Sequence, residues 1–149
     1  MRAVVQRIRD GSVTVDHRIT GEIESGLLVY LGVGEDDTED DVVYIAEKIA
    51  HLRIFPDDMG VMNRSVMESG GGILLISQFT LYGDIRRGRR PSYSHAARPE
   101  TAQKLYMSCA NAVQAFGIPV KTGVFQAMME VRSINDGPVT ILLDSKKKF

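Results

Sequence analysis

The residues best placed for chemistry are Ser77, Gln78 and Thr80, two hydroxyls and an amide that follow directly on the apolar run Ile73-Leu74-Leu75-Ile76. That run follows Gly71-Gly72, is too short for an independent helix and reads as a strand buried on both faces. Polar side chains therefore arrive where a core strand reaches the surface, and open sheets bind ligands beyond the carboxyl ends of their strands. The same hydroxyls could equally be ordinary strand-end groups bonded to nearby backbone. If they do chemistry, acyl transfer fits best. Backbone N–H groups around Gln78 and Phe79 could face a developing oxyanion, and Thr80 adds a hydroxyl. A single oxyanion donor contributes about 2.7–4 kcal/mol where it has been measured. With no obvious base beside it, such a site would need an intrinsically labile ester.

Other chemistries lack their residues. His17, His51 and His95 are scattered, and no Cys, His or acidic group stands at metal-ligand spacing. Gly70-Gly71-Gly72 lacks the Lys-Ser/Thr of a phosphate loop and leads into a strand. Ser77 stands between Ile76 and Gln78, without the flanking glycines of a hydrolase elbow. Neither a metal nor a cofactor is expected. Cys109, the only cysteine, lies in a helical pattern among small and apolar residues and reads as a buried inert thiol. A net charge of −1 gives no global attraction to nucleic acid, so RNA contact would need a local patch. Arg86, Arg87, Arg89 and Arg90, followed by Pro91 and Tyr93, form the candidate. They could grip phosphates while the tyrosine stacks on a base, or be a solvated loop.

The elements that must position these groups are legible in outline. A chain of 149 residues fits one domain, 1–149, and 44% apolar with 25% charged residues is an ordinary water-soluble composition. No apolar run approaches the ~20 residues of a membrane span. Arg7 and Arg9 interrupt the opening before a signal-peptide core develops, so the expected location is cytoplasmic. Residues 3–9 and 12–16 predict a hairpin turning at Asp10-Gly11, with another turn at Asp16-His17-Arg18 and further strands at 19–23 and 26–33. Thr38 with Glu39, Asp40 and Asp41 predicts a helix start, and Val42, Ile45, Ala46 and Ile49 trace its apolar face. Residues 61–67 read as irregular or a short strand. A second amphipathic helix should run from Pro99 to Gly117. Strands at 120–125, 128–134 and 139–144 follow, with Asn135-Asp136-Gly137-Pro138 turning between the last two. The fold class is mixed α/β, with two helices packed on β-sheet.

Ser77-Gln78-Phe79-Thr80-Leu81 together with Asn135-Asp136-Gly137-Pro138-Val139-Thr140 resembles the motif pair of the D-aminoacyl-tRNA deacylases. The likeness extends through Gln6-Arg7, Gly26-Leu27-Leu28-Val29, Leu52-Arg53-Ile54-Phe55, Arg90-Pro91-Ser92 and Thr122-Gly123-Val124-Phe125. Aminoacyl esters of tRNA are labile in the sense the first motif requires. The resemblance implies a homodimer with active sites at the subunit interface, where a cis Gly137-Pro138 reaches into the partner's pocket and excludes L side chains. It implies that Arg7 braces that dipeptide, that Ser77, Gln78 and Phe79 line the ester, and that Phe125 and Met129 wall the terminal-adenosine pocket. Thr80 would be either a nucleophile or a bystander to assistance by the ribose 2′-hydroxyl; no base for it stands out. Gln126 departs from the glycine usual in the family after this phenylalanine, which bears on how closely the backbone approaches the adenosine. A non-catalytic tRNA-binding dimer is the alternative that the arginines leave open.

Overall fold

Two adjacent strands with apolar residues on both faces require cover on both sides, and the architecture supplies it. The computed structural model describes residues 1–148. In chain order it contains β1 (Arg2–Val15), β2 (Arg18–Ile23), β3 (Gly26–Gly32), α1 (Glu39–His51), β4 (Phe55–Pro56), β5 (Met62–Arg64) and α2 (Val66–Ser69). There follow β6 (Gly72–Ser77), a 3-10 turn (Phe79–Tyr82), α3 (Pro99–Gln114), β7 (Val120–Thr122) and β8 (Glu130–Asp144). The main sheet runs β2-β1-β3-β6-β7, with β8 also on β1. β3, β6 and β7 are parallel, while β1 is antiparallel to β2, β3 and β8.

Leu27, Val29, Leu31, Ile73 and Leu75 face the two long helices, meeting Ile45 and Ile49 of α1 and Leu105, Cys109 and Val113 of α3. Their neighbours Leu28, Leu74 and Ile76 point the other way, into a second cluster with Ile8 and Val13 of β1. Period-2 alternation between two apolar layers is what makes β3 and β6 continuous apolar runs in sequence. Burial pushes the Cys109 thiol up to about 12, as befits an inert core side chain. No helix among the described residues is long and apolar enough to cross a membrane.

Three local expectations are corrected. Asp10-Gly11 does not turn; both lie inside the 14-residue strand β1. A Cβ at Gly11 would lie 2.5 Å from Ile8 Cδ1, the movable end of that side chain, and in ordinary contact, 3.5 Å, with Leu74 Cδ2. The hairpin turn comes at Asp16-His17, where φ is 47° and 62° and Val15 pairs with Arg18. Residues 61–67 hold a short strand as expected, β5, but also the start of α2, capped reciprocally by Ser65 and Glu68. β7 ends at Thr122 and β8 begins at Glu130, so Phe125 and Met129 sit on a loop, whereas 135–138 interrupt one continuous strand.

Candidate active site

The apolar β6 ends at Ser77, and Gln78 N–H extends the ladder by one bond, donating to Leu31 O at 2.8 Å. The chain then tightens into the 3-10 turn, whose first N–H groups have no partner within the turn itself. This refines the expectation for the oxyanion site. The Gln78 amide is engaged, whereas those of Phe79 and Thr80 have no acceptor among the described residues. The Thr80 hydroxyl is exposed and accepts from Gln78 Nε2 at 2.5 Å, an amide that cannot serve as a base.

Beside this strand end lies a cleft of about 660 Å³. Ser77, Gln78 and Phe79 form one side, and the 123–129 loop forms another through Phe125, Gln126 and Met129. Leu31 and Ile76 line it too, as do Tyr93, Ala97, Ala102 and Tyr106. Its aromatic groups are tied together. Phe79 meets Tyr93 edge-on with centroids 5.0 Å apart, and Tyr106 lies 6.0 Å from Phe125 while donating to Leu75 O at 2.7 Å. Burial drives the Tyr106 phenol well above its ordinary pKa, which leaves it a fixed donor. Thr80 is not among the lining residues. Sequence reasoning missed Tyr93, Ala97, Ala102 and Tyr106 as walls of this cleft.

The second motif lies elsewhere. Between the pairs Gln6↔Thr140 and Ile8↔Asn135, β1 contributes only Arg7 while β8 contributes residues 136–139, so the latter bulge out. The Gly137–Pro138 bond is cis and both residues are exposed. Gly137 has φ +128°, and a Cβ would lie 2.7 Å from Val139 Cγ2, so a side chain is disfavoured twice. Asn135 fastens the bulge, accepting from Val139 N–H and donating to Thr140 Oγ1, each at 3.2 Å. Arg7 lies against it: its Nη1 donates to Ile54 O and its Nε is 3.0 Å from Asp136 Oδ2, an ion pair too poorly angled to hydrogen-bond. Arg9 meets the same carboxylate at 2.7 Å.

Within one chain the two motifs do not meet. Arg7 pairs with Leu27 and Ser77 with Leu31, four residues apart along β3, on the order of 13 Å at strand rise. Neither Gly137 nor Pro138 lines the cleft.

The arginine loop divides. Arg86 is held by Asp84 through bonds of 2.9 and 2.7 Å, which keep the aspartate carboxyl well below its usual range. Arg87, Arg89 and Arg90 are exposed and have no polar partner among the described residues. Among those residues no three His, Cys, Asp or Glu side chains gather as metal ligands.

The family model described as D-Tyr-tRNA(Tyr) deacylase matches residues 4–144. A D-aminoacyl-tRNA deacylase of Koribacter versatilis (strain Ellin345) is 60% identical over 149 residues, covering all of both chains. One of Desulfotalea psychrophila (strain LSv54 / DSM 12343) is 58% identical with the same coverage. Among solved structures, one titled c-Myc DNA Unwinding Element Binding Protein superposes with TM-score 0.91 at 37% identity, covering 97% of this chain and 98% of that one. A probable eukaryotic D-amino acid tRNA deacylase superposes at 0.82 with 19% identity, over 95% of this chain and 97% of that one, and bears on the fold alone. The chain belongs to the D-Tyr-tRNA(Tyr) deacylase family, hydrolases of carboxylic ester bonds whose substrates are D-aminoacyl-tRNAs.

Proposed function

We propose that the protein proofreads chirality in translation by hydrolysing D-aminoacyl-tRNA, and mischarged glycyl-tRNA, at two clefts each completed by a partner subunit. The observation that carries this reading is the split site: a cleft lined by Ser77, Gln78 and Phe79 and an exposed, braced Gly137-Pro138 too far away to serve it in the same chain. In a homodimer the dipeptide of one subunit enters the cleft of the other. Its carbonyls hold the α-amino group and leave space for a hydrogen, not a side chain, on the L side of Cα. Specificity then comes from exclusion, and the D side chain needs no recognition.

In the reaction, water attacks the ester carbonyl, the negative charge gathers on its oxygen, and the N–H groups of Phe79 and Thr80 donate to it. The C–O bond to the ribose breaks, and the ribose oxygen takes a proton as the free amino acid departs. The neighbouring 2′-hydroxyl of the terminal ribose assists, in place of a protein base. Phe125 and Met129 wall the adenosine, and Arg87, Arg89 and Arg90 contact phosphates of the tRNA. An enzyme of aminoacyl-tRNA acts in the cytoplasm, where translation occurs.

The decisive assay compares deacylation of D-tyrosyl-, L-tyrosyl- and glycyl-tRNA. Rapid loss of the D and glycyl esters with the L ester spared is expected; equal rates for D and L esters would refute the chiral reading. The exposed arginines favour one rival, a non-catalytic tRNA-binding dimer. It predicts salt-sensitive binding with no turnover above spontaneous ester loss.

A further inference from the structure

Gln126 occupies the left-handed region, with φ +63°, a conformation that favours glycine. It stands on the rim of the cleft, directly after Phe125 and three residues before Met129. The cleft has two side-chain amides. That of Gln78 is committed to Thr80 Oγ1, whereas that of Gln126 is exposed and has no partner among the described residues. A free amide next to an aromatic ring is the pairing by which proteins read a splayed-out base: the ring takes a face, the polar group an edge. A glutamine amide matches adenine in particular, its carbonyl accepting from N6 and its NH2 donating to N7.

We infer that Gln126 reads the adenine of the substrate's terminal nucleotide through its side-chain amide, and that the unfavourable backbone conformation at this position is retained for that contact. The inference rests on the deacylase reading above and adds a base-specific contact to the apolar walls Phe125 and Met129. It makes Gln126 a specificity-determining residue acting on KM, because the base is remote from the breaking bond and is held alike in the ground and transition states.

The test uses the full-length protein and Gln126→Gly, a substitution that suits the local φ and should leave the thermal midpoint no lower. Two substrates are compared, D-tyrosyl-tRNA ending in adenosine and the same tRNA ending in purine riboside, which lacks the 6-amino group. For the parent, KM should rise about tenfold on removal of that group, with kcat little changed. Gln126→Gly should show the raised KM already with adenosine and no further rise with purine riboside. Equal KM for parent and variant on the adenosine substrate would overturn the inference. So would a variant that loses affinity while still discriminating between the two bases. In both cases a parent active on D-tyrosyl-tRNA would leave the deacylase reading standing. A parent that hydrolyses neither substrate would overturn that reading and this inference together.

Discussion

At the scale of single residues the site divides into groups that act and groups that hold. The Thr80 hydroxyl is exposed, and its hydrogen-bond partner among the described residues is the Gln78 amide, which cannot take its proton as it attacks. Thr80→Ala should therefore lower kcat/KM for D-tyrosyl-tRNA only severalfold. A fall of several orders with tRNA binding intact would make it the nucleophile, since losses of that size follow removal of a group that acts only in the transition state. Arg7 holds. Its side chain is 12% exposed, and its Nη2 would lie 3.4 Å from a Cβ on Gly137, so it packs directly against the protruding dipeptide. Removing it leaves Asp136 to Arg9, whose side chain is 75% exposed and a weak tether in water. Arg7→Ala should accordingly let the dipeptide shift and admit L esters. The measurement is the ratio of D- to L-tyrosyl-tRNA deacylation, and an unchanged ratio would remove the bracing role.

At the scale of elements, α1 carries the clearest energetic signature. Asp41 Oδ2 accepts from Thr38 N–H and from Lys146 Nζ, each at 2.8 Å, while Oδ1 accepts from Ser145 Oγ at 2.6 Å. The carboxylate thus caps the helix and ties its start to the end of β8. Burial alone would raise its pKa, but the bonds from Lys146, Ser145 and Thr38 outweigh it and hold the group well below the usual range. A folded pKa below the unfolded value of about 3.9 means the stabilisation is complete above that pH and fades as pH falls below it. Asp41→Asn should cost about 1–2 kcal/mol in urea unfolding at pH 7 and markedly less at pH 3. The start of this helix was legible because Thr38 and three acids precede a 3.6-residue apolar period, and Pro99 made α3 equally plain. The strand leading to Ser77 was legible because its apolar run is continuous. Asp10-Gly11 misled because a turn dipeptide and a strand glycine look alike locally, and what distinguishes them here is pairing with Ile134 and Ser133 of β8, remote in sequence. The Ser65–Glu68 capping box was readable but lacks the long apolar period that confirms a helix. Ala97 and Ala102 could not be assigned to the cleft at all. Small residues carry no chemical signal, and their place depends on how α3 crosses the sheet.

For the molecule as a whole, the governing feature is that the cleft beside Ser77–Phe79 and the exposed Gly137-Pro138 lie apart in one chain. Among the described residues β8 pairs with β1 alone and leaves a 15-residue edge, with Ile134 and Leu142 more than half exposed. Long apolar edges invite pairing unless something covers them, and the proposed dimer would supply that cover while bringing Gly137-Pro138 to the opposite cleft. Complementation distinguishes this from a rearrangement within one chain. Pro138→Ala should leave the cleft working but weaken its chiral wall, so that L-tyrosyl-tRNA is hydrolysed. Ala102→Trp should fill the cleft, abolishing activity while leaving the dipeptide intact. In a mixed dimer, the only open cleft belongs to the Pro138→Ala chain and faces the unaltered dipeptide of its partner. Differently tagged chains, co-expressed and purified through both tags, should therefore hydrolyse D-tyrosyl-tRNA at about half the parent rate per dimer, with L rejection restored, because one of two equivalent sites is whole. If the dipeptide instead served its own chain, that open cleft would keep its damaged wall. The mixed dimer would then hydrolyse the L ester at about half the rate of Pro138→Ala alone, as readily per open cleft, and the cross-subunit site would be ruled out.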